Sequence, residues 1–302
     1  MRGLGTVLAV IGRVVIALAV VALLLTGCGA DPPRNPAPPQ NPAPRDDFAR
    51  VERETGTRVG VFALDTGTGE QVAHRADERF GYASTHKAFS SAQVLRQNQI
   101  ADLERRITFS QRDLVSNSPV TSKHVDGGMT LREVMAAAIH HSDNTAANLL
   151  FREIGGPPGL SAFLRSLGDV TTRPARTETE LNDYAPGDDR DTTTPRAFAR
   201  NLQAVAVGDA LPPDKRATLD DLLRTNPSGG TLVRAAAPPG WQVGDKSGGT
   251  TDHGIRNDIA VVWPPNRAPI VLAVFTDKPA GQAKYDDTAI ARAAGVALGE
   301  LR

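Results

Sequence analysis

Hydrophobic and polar positions change pattern twice along the 302 residues of the chain. From Val14 to Leu25 the run is unbroken and apolar, with Arg2 and Arg13 ahead of it. It is too short to cross a bilayer and has the length of a signal-peptide core, so residues 1–27 are expected to be removed. Gly29 to Asp46 then holds seven prolines among Asp, Asn, Gln and Arg, with almost no large apolar residue. Such a segment cannot bury enough surface to fold, and residues 28–46 are expected to be an extended tether of about 50 Å.

From residue 47 onward the helical and strand periods take over. Asp46-Asp47-Phe48 opens a short helix carrying Phe48, Val51 and Glu54 and stopping at Gly56. Arg58 to Asp65 reads as a strand, Thr66-Gly67-Thr68-Gly69 as a turn, and Glu70 to Arg75 as the returning strand of a hairpin. A helix headed by Ser84 follows, with Ala88, Phe89, Ala92 and Leu95 on its buried face. Thr130-Leu131-Arg132-Glu133 is a capping box, and Leu131, Val134, Met135, Ala138 and Ile139 form an apolar stripe behind it. After a break at His141 to Asn144, a second helix carries Ala147, Leu150, Phe151 and Ile154 to a Gly155-Gly156 stop. Further helices are expected at Leu160 to Leu167, at Pro195 to Val205 behind Thr194, and at Asp214 to Leu223. Val170 to Thr194 is long, polar and without period, which in a compact domain points to a functional loop. Strands return at Trp241 to Lys246, Arg256 to Trp263 and Pro269 to Thr276, and Asp287 to Leu301 closes the chain as a helix. Strands at both ends around a helical middle predict an α/β fold of the α+β sandwich type. One antiparallel sheet is built from residues 47–80 and 226–302, and residues 81–225 form an inserted helical subdomain.

Composition narrows the function. The 34 basic and 34 acidic residues balance, and loss of Arg2 and Arg13 leaves a slight acidic excess, so no surface for nucleic acid is expected. None of the six histidines sits in a metal-ligand spacing: His140 and His141 are adjacent and no H-E-x-x-H occurs. No metal or other cofactor is expected. His86 reads as packing or solvent-facing filler. Cys28 is the only cysteine and follows Leu25-Thr26-Gly27. That stretch resembles a bacterial lipobox, so Cys28 is expected to be lipidated and to hold the protein on the outer face of the bacterial cell membrane. If the lipobox is not used, the protein is periplasmic or secreted. A monomer is expected.

The candidate chemistry starts with Ser84 and Lys87, one turn apart on one helical face, where an amine can activate a hydroxyl nucleophile. Alone, the pair is equally an ordinary helix start. Three further stretches support it. Ser142-Asp143-Asn144 sits in a break between helices, where polar side chains can enter a cleft. Lys246-Ser247-Gly248 ends a presumed strand, and Gly248-Gly249 lets a substrate lie against the backbone. Glu178 and Asn182, four apart, would face the same way on one helical turn and could hold a water between them.

Together these motifs, in this order, resemble the class A serine β-lactamases over essentially the whole mature chain. Arg176-Thr177-Glu178-Thr179-Glu180-Leu181-Asn182 is similar to the family's Ω-loop, Asp191 to the acid that pairs with the loop arginine, and Asn117 to Thr121 to one rim of the cleft. The resemblance implies a β-lactamase/transpeptidase-like fold and hydrolysis of β-lactam small molecules. It makes Ser84 the nucleophile acylated by the lactam, with Lys87 or Glu178 as acylation base, and Glu178 the base for deacylation with Asn182 positioning the water. Ser142 would relay a proton to the leaving nitrogen. Asn144 would hold the substrate amide, and Lys246, Ser247 and Arg256 the substrate carboxylate. Ser84 and Gly249 would supply the oxyanion N–H groups, and Arg176 with Asp191 structural support. Taken singly, that last pair reads as a surface ion pair worth at most about 1 kcal/mol. Two departures stand out: Asn117 replaces the usual aromatic rim residue, and the loop from Gly249 to Gly254 is a residue longer than usual. The rival functions are a D,D-peptidase or penicillin-binding protein, against which Glu178 and Asn182 argue, and a non-catalytic lipoprotein that binds β-lactams or peptidoglycan.

Overall fold

The computed structural model describes residues 46–302 apart from 186, 252 and 280–283. The expected signal segment, Cys28 and the tether up to residue 45 lie outside the described residues. In chain order the helices are α1 (Asp46–Thr55), α2 (His86–Gln97), α3 (Leu131–His140), α4 (Asn144–Ile154), α5 (Gly156–Ser166), α6 (Pro195–Ala206), α7 (Pro213–Arg224), α8 (Val233–Ala236) and α9 (Asp287–Glu300). The strands are β1 (Arg58–Asp65), β2 (Gln71–His74), β3 (Phe80–Gly81), β4 (Arg106–Ile107), β5 (Met129–Thr130), β6 (Thr192–Thr193), β7 (Gln242–Thr250), β8 (Ile255–Trp263) and β9 (Ile270–Asp277). Among the described residues no helix is long and apolar enough to cross a membrane.

β1, β8 and β9 are buried almost throughout. A strand covered on both faces can be apolar at every position, which is why these three read as near-continuous runs. They lie in one antiparallel sheet of order β2-β1-β9-β8-β7, so the first hairpin pairs directly with the last strand, Val61 opposite Val274. On one face the sheet packs against α1, α8 and α9 through Phe48, Val51, Leu272, Val274, Ile290 and Leu298. On the other face Phe62, Ile259, Val271 and Phe275 share a continuous core with Phe89, Leu150, Phe163 and Phe198 of the helical middle. Phe198 of α6 meets Phe275 edge-on at 5.8 Å, so this helix lies on the sheet and carries the sheet core into the helical part.

Capping chemistry fixes the starts of the two helices that flank Ser142. The Thr130–Glu133 box is formed at α3, and Asp143 caps α4 by accepting from Ala146 N–H at 2.8 Å. One strand boundary differs from expectation. β7 runs on to Thr250, so Lys246-Ser247-Gly248 lies inside the strand. Pairing with β8 continues to Thr250 opposite Ile255, and these ladder bonds outweigh the poor strand preference of two glycines. Gly248 is required there, because a Cβ would stand 2.9 Å from the Ser84 nitrogen.

Candidate active site

Ser84 lies in a short 3₁₀ turn, Ala83–Thr85, that runs straight into α2. Lys87, one turn on, points its Nζ back at the hydroxyl at 2.8 Å. The amine is fully buried, yet it is surrounded by oxygens: Ser142 O at 2.8 Å, Asn144 Oδ1 at 2.7 Å and Glu178 Oε1 at 2.9 Å. Burial lowers its pKa from the ordinary lysine value, and the Glu178 carboxylate pulls it back up. Ser142, which offers both its carbonyl and its hydroxyl to the cleft, adopts a left-handed backbone with φ 51°. Holding a non-glycine residue there costs about 1–3 kcal/mol, a cost the packed surroundings of α3 and α4 must offset.

Glu178 comes from the long polar loop. Its Oε1 stands 3.5 Å from Ser84 Oγ, and its Oε2 accepts from Asn182 Nδ2 at 2.8 Å. The acid and the amide therefore touch directly, across a segment that ends in a 3₁₀ turn at Glu180–Asn182. The main chain of Glu178, whose peptide to Thr179 is cis, is gripped by one side chain of α4. Its N–H donates to Asn148 Oδ1 at 2.9 Å, and its carbonyl accepts from Asn148 Nδ2 at 2.8 Å. Burial disfavours the carboxylate, but Lys87 and the hydrogen bond from His86 outweigh it and hold the pKa at about 2. Glu178 is thus ionised and poised as a base.

Across the cleft, Lys246 is fully buried, with Nζ 3.3 Å from Ser142 Oγ and 2.5 Å from its neighbour's carbonyl, Ser247 O. Arg256, opposite Gly249 in the β7–β8 pair, donates from Nε to Asp287 Oδ1 at 2.7 Å. A cleft of about 390 Å³ brings together Ser84, Asn117, Ser142, Asn144, Asn182, Ser247, Gly248, Gly249 and Arg256, with His140, His141, Ser228 and Tyr285 completing the wall. Lys87, Glu178 and Lys246 stand directly behind it. Asn144 is already engaged, donating from Nδ2 to Ser116 O at 3.0 Å while Lys87 takes its oxygen. The absent aromatic at Asn117 is partly replaced from the opposite rim, where Tyr285, 42% exposed, lies 5.0 Å from the Arg256 guanidinium.

Comparison with known proteins agrees with this geometry. The sequence model of the beta-lactamase enzyme family matches residues 43–301. The β-lactamase of Amycolatopsis lactamdurans is 50% identical over 275 residues, covering 91% of this chain and 88% of that protein. The β-lactamase of Bacillus amyloliquefaciens is 49% identical over 255 residues, 84% of this chain and 83% of that one. Among solved structures, the class A β-lactamase from Clostridium kluyveri DSM 555 aligns with a TM-score of 0.83 at 45% identity, covering 85% of this chain and 97% of the other. The chain belongs to the class A β-lactamase family.

The Arg176–Asp191 pair expected as structural support is formed at 2.6 Å, and several further supports of this β-lactamase site were not expected from the sequence. Asp191 is buried at 1% exposure and is not part of a surface pair. Its Oδ1 accepts from Tyr82 OH at 2.8 Å, Ala175 N–H at 2.9 Å and Arg176 N–H at 3.1 Å, while its Oδ2 meets Arg176 Nε at 2.6 Å. Tyr82 thereby links the turn that carries Ser84 to the neck of the loop that carries Glu178. His86 is not solvent-facing: it is fully buried, with Nε2 3.4 Å from Glu178 Oε1, because the loop closes over this end of α2. Asn148 left one faint signal, a second asparagine one turn after Asn144 and just ahead of the apolar run Leu149 to Phe151. Behind β7, Asn226 Nδ2 and Arg234 Nη2 hold the Asp245 carboxyl at 2.9 and 2.6 Å and so brace the strand at Lys246.

Burial, reinforced by Lys87 nearby, lowers the Lys246 pKa to about 7. The ammonium is the form that can pair with a carboxylate, and it is present below that pH and lost above it. With a carboxylate-bearing β-lactam, kcat/KM is therefore expected to decline as pH rises through about 7, chiefly through KM, and Lys246→Arg should move the decline out of range. A profile flat to about pH 9 would contradict the assignment.

Proposed function

We propose that the chain hydrolyses β-lactams through a Ser84 acyl-enzyme. The observation that carries this reading is an ionised Glu178 held 3.5 Å from Ser84 Oγ and hydrogen-bonded to Asn182. In the resting site Lys87 is paired with Glu178 as the ammonium and has no lone pair to offer, so the carboxylate receives the serine proton, directly or through a water. Ser84 Oγ attacks the lactam carbonyl carbon, and the backbone N–H groups of Ser84 and Gly249 meet the oxyanion; one such donor is worth about 3 kcal/mol. The C–N bond breaks as the nitrogen takes a proton from Ser142 Oγ, which lies 3.4 Å from Lys87 Nζ and 3.3 Å from Lys246 Nζ and is reprotonated through them. Lys246, Ser247 and Arg256 hold the substrate carboxylate. Glu178 passes the serine proton to Lys87 at 2.9 Å, replacing the one given toward Ser142. Ionised again, it takes a proton from a water that attacks the ester carbon and returns that proton to Ser84 Oγ as the C–O bond breaks. The purified protein should turn over a chromogenic cephalosporin many times per molecule. A single stoichiometric burst would instead mark a penicillin-binding protein, and no reaction a non-catalytic lipoprotein.

We also infer that Cys28 carries a lipid that anchors the protein to the outer face of the cell membrane, and that the protein acts as a monomer. The anchor is supported by Arg2 and Arg13 before the apolar run, by Leu25-Thr26-Gly27-Cys28 at its end and by the proline-rich spacer after it. The monomer is supported by a cleft to which one chain contributes every group named above. Radiolabelled palmitate should enter the wild-type protein in bacteria and not Cys28→Ser, which should appear in the soluble fraction. Equal labelling of both would overturn the anchor.

A further inference from the structure

His86 is a buried titratable side chain for which the mechanism above has no use. It sits between Ser84 and Lys87 in the sequence but points away from the cleft mouth, into the space between α2, α4 and the loop. Its ring stacks on Phe151 of α4, with centroids 5.0 Å apart and planes 9° from parallel. Nδ1 lies 3.2 Å from Ser90 Oγ, one turn along α2, and Nε2 lies 3.4 Å from Glu178 Oε1. These two contacts select one tautomer. A lone pair on Nε2 would face an ionised carboxylate, so the proton belongs on Nε2, and Nδ1 accepts from the Ser90 hydroxyl.

The charged and titratable groups facing the ring are few: Glu178 from the loop, Lys87 from its own helix, Lys246 from β7, and the Tyr82 ring at 5.8 Å. Burial and the two lysines oppose a second proton, which keeps the imidazole neutral, and Glu178 alone favours it. A neutral donor is what the site needs, because a cation there would compete with Lys87 for the same oxygen. Around Glu178 the neighbours are Lys87, His86 and the Ser84 hydroxyl on Oε1 and, on its other oxygen, Asn182.

We propose that His86 is a positioning residue for the general base: its Nε2–H holds Glu178 Oε1 beside Lys87 and keeps the carboxylate ionised into acid, so that deacylation persists at low pH. The proposal rests on the β-lactamase reading above and adds a part to it. Without this donor, burial of Glu178 is opposed by Lys87 with one fewer partner, and its proton affinity rises.

The test compares wild type, His86→Phe, His86→Gln and Ser90→Ala. Phe keeps the stacking surface on Phe151 and removes both polar contacts; the Gln amide nitrogen can take the place of Nε2. The acyl-enzyme is formed with a penicillin at neutral pH, jumped to values between about pH 2.5 and 7, and its decay followed by quenched-flow mass spectrometry. The acid limb of deacylation is expected to move up by about one pH unit in His86→Phe, the size of one hydrogen bond to a charged group. It should return toward wild type in His86→Gln and move by a smaller step in Ser90→Ala, which leaves the ring in place and serves even if Phe weakens the fold. Acylation at neutral pH should change by no more than a few-fold. The proposal is overturned if the limbs of Phe, Ala and wild type coincide, or if deacylation falls by one common factor at every pH, as a purely structural role would give. Failure of wild type to turn over would sink the β-lactamase reading and this one together. Normal wild-type turnover with unmoved limbs would sink this one alone.

Discussion

Glu178→Ala should react with a penicillin and then stall, its turnover reduced about 10²–10⁴-fold while a stoichiometric adduct on Ser84 accumulates. The two half-reactions separate because two bases surround one hydroxyl. Lys87 stands 2.8 Å from Ser84 Oγ and is kept charged against its burial by Glu178. When the carboxylate is removed, the burial that lowers the amine's pKa loses its main opponent, and the amine becomes better able to accept the serine proton itself. Acylation then survives by a second route. Deacylation has no such substitute, since its water must be deprotonated on the loop side of the ester, where Glu178 and Asn182 are joined at 2.8 Å. Intact-mass measurement after mixing checks the adduct, and a chromogenic burst checks its stoichiometry. Prompt release of product by the variant would contradict the role given to Glu178.

Asp191→Ala is expected to lose about 3–5 kcal/mol of stability, a fall in melting temperature on the order of 10 °C, because a buried charge is removed from a network that was built around it. Its two oxygens satisfy Tyr82 OH, two backbone N–H groups and the Arg176 side chain, and all four lose their acceptor at once. Each buried group left unpaired is costly, and Arg176 is left as a largely buried cation. The backbone pairs that close the neck, Arg173 N–H to Thr192 O at 3.1 Å and Asp191 N–H to Arg173 O at 2.7 Å, remain, so the loop loosens without detaching. Activity should follow the loop: deacylation is expected to slow more than acylation, since Ser84 and Lys87 stand on α2 and its leading turn while Glu178 stands on the weakened segment. Asp191→Asn, which keeps an acceptor but no charge, should fall between. Calorimetry together with the ratio of burst to steady-state rate decides it. A variant that melts within about 2 °C of wild type would mean that the ion pair is as weak as a surface pair.

What the chain made legible from its letters was local. Strands β1, β8 and β9 are apolar at successive positions because both sheet faces are covered, and their limits were readable to within about a residue. The capping box at Thr130, the proline behind Thr194 and the Gly155 stop each act within one turn, so the helix limits followed. Ser84 with Lys87 and Glu178 with Asn182 are likewise pairs a turn apart, and their meeting needs only that the turn forms.

The remainder depended on which surfaces close on each other. Tyr82 and Asp191 are 109 residues apart, and His86 and Glu178 are 92 apart. Nothing in either neighbourhood says that they touch. An aspartate and an arginine fifteen residues apart resemble a solvated pair until the chain folds over them, and only then does desolvation raise the weight of every charge and hydrogen bond around Asp191. The same holds for Lys246, a strand-end cation by its letters, whose pKa of about 7 comes from being enclosed beside Lys87. Periodicity and spacing act over a turn or a pleat and so can be read along the chain. Burial, and with it the charge state of the bases and cations that do the chemistry, is a property of the closed cleft between the sheet, the helices and the loop.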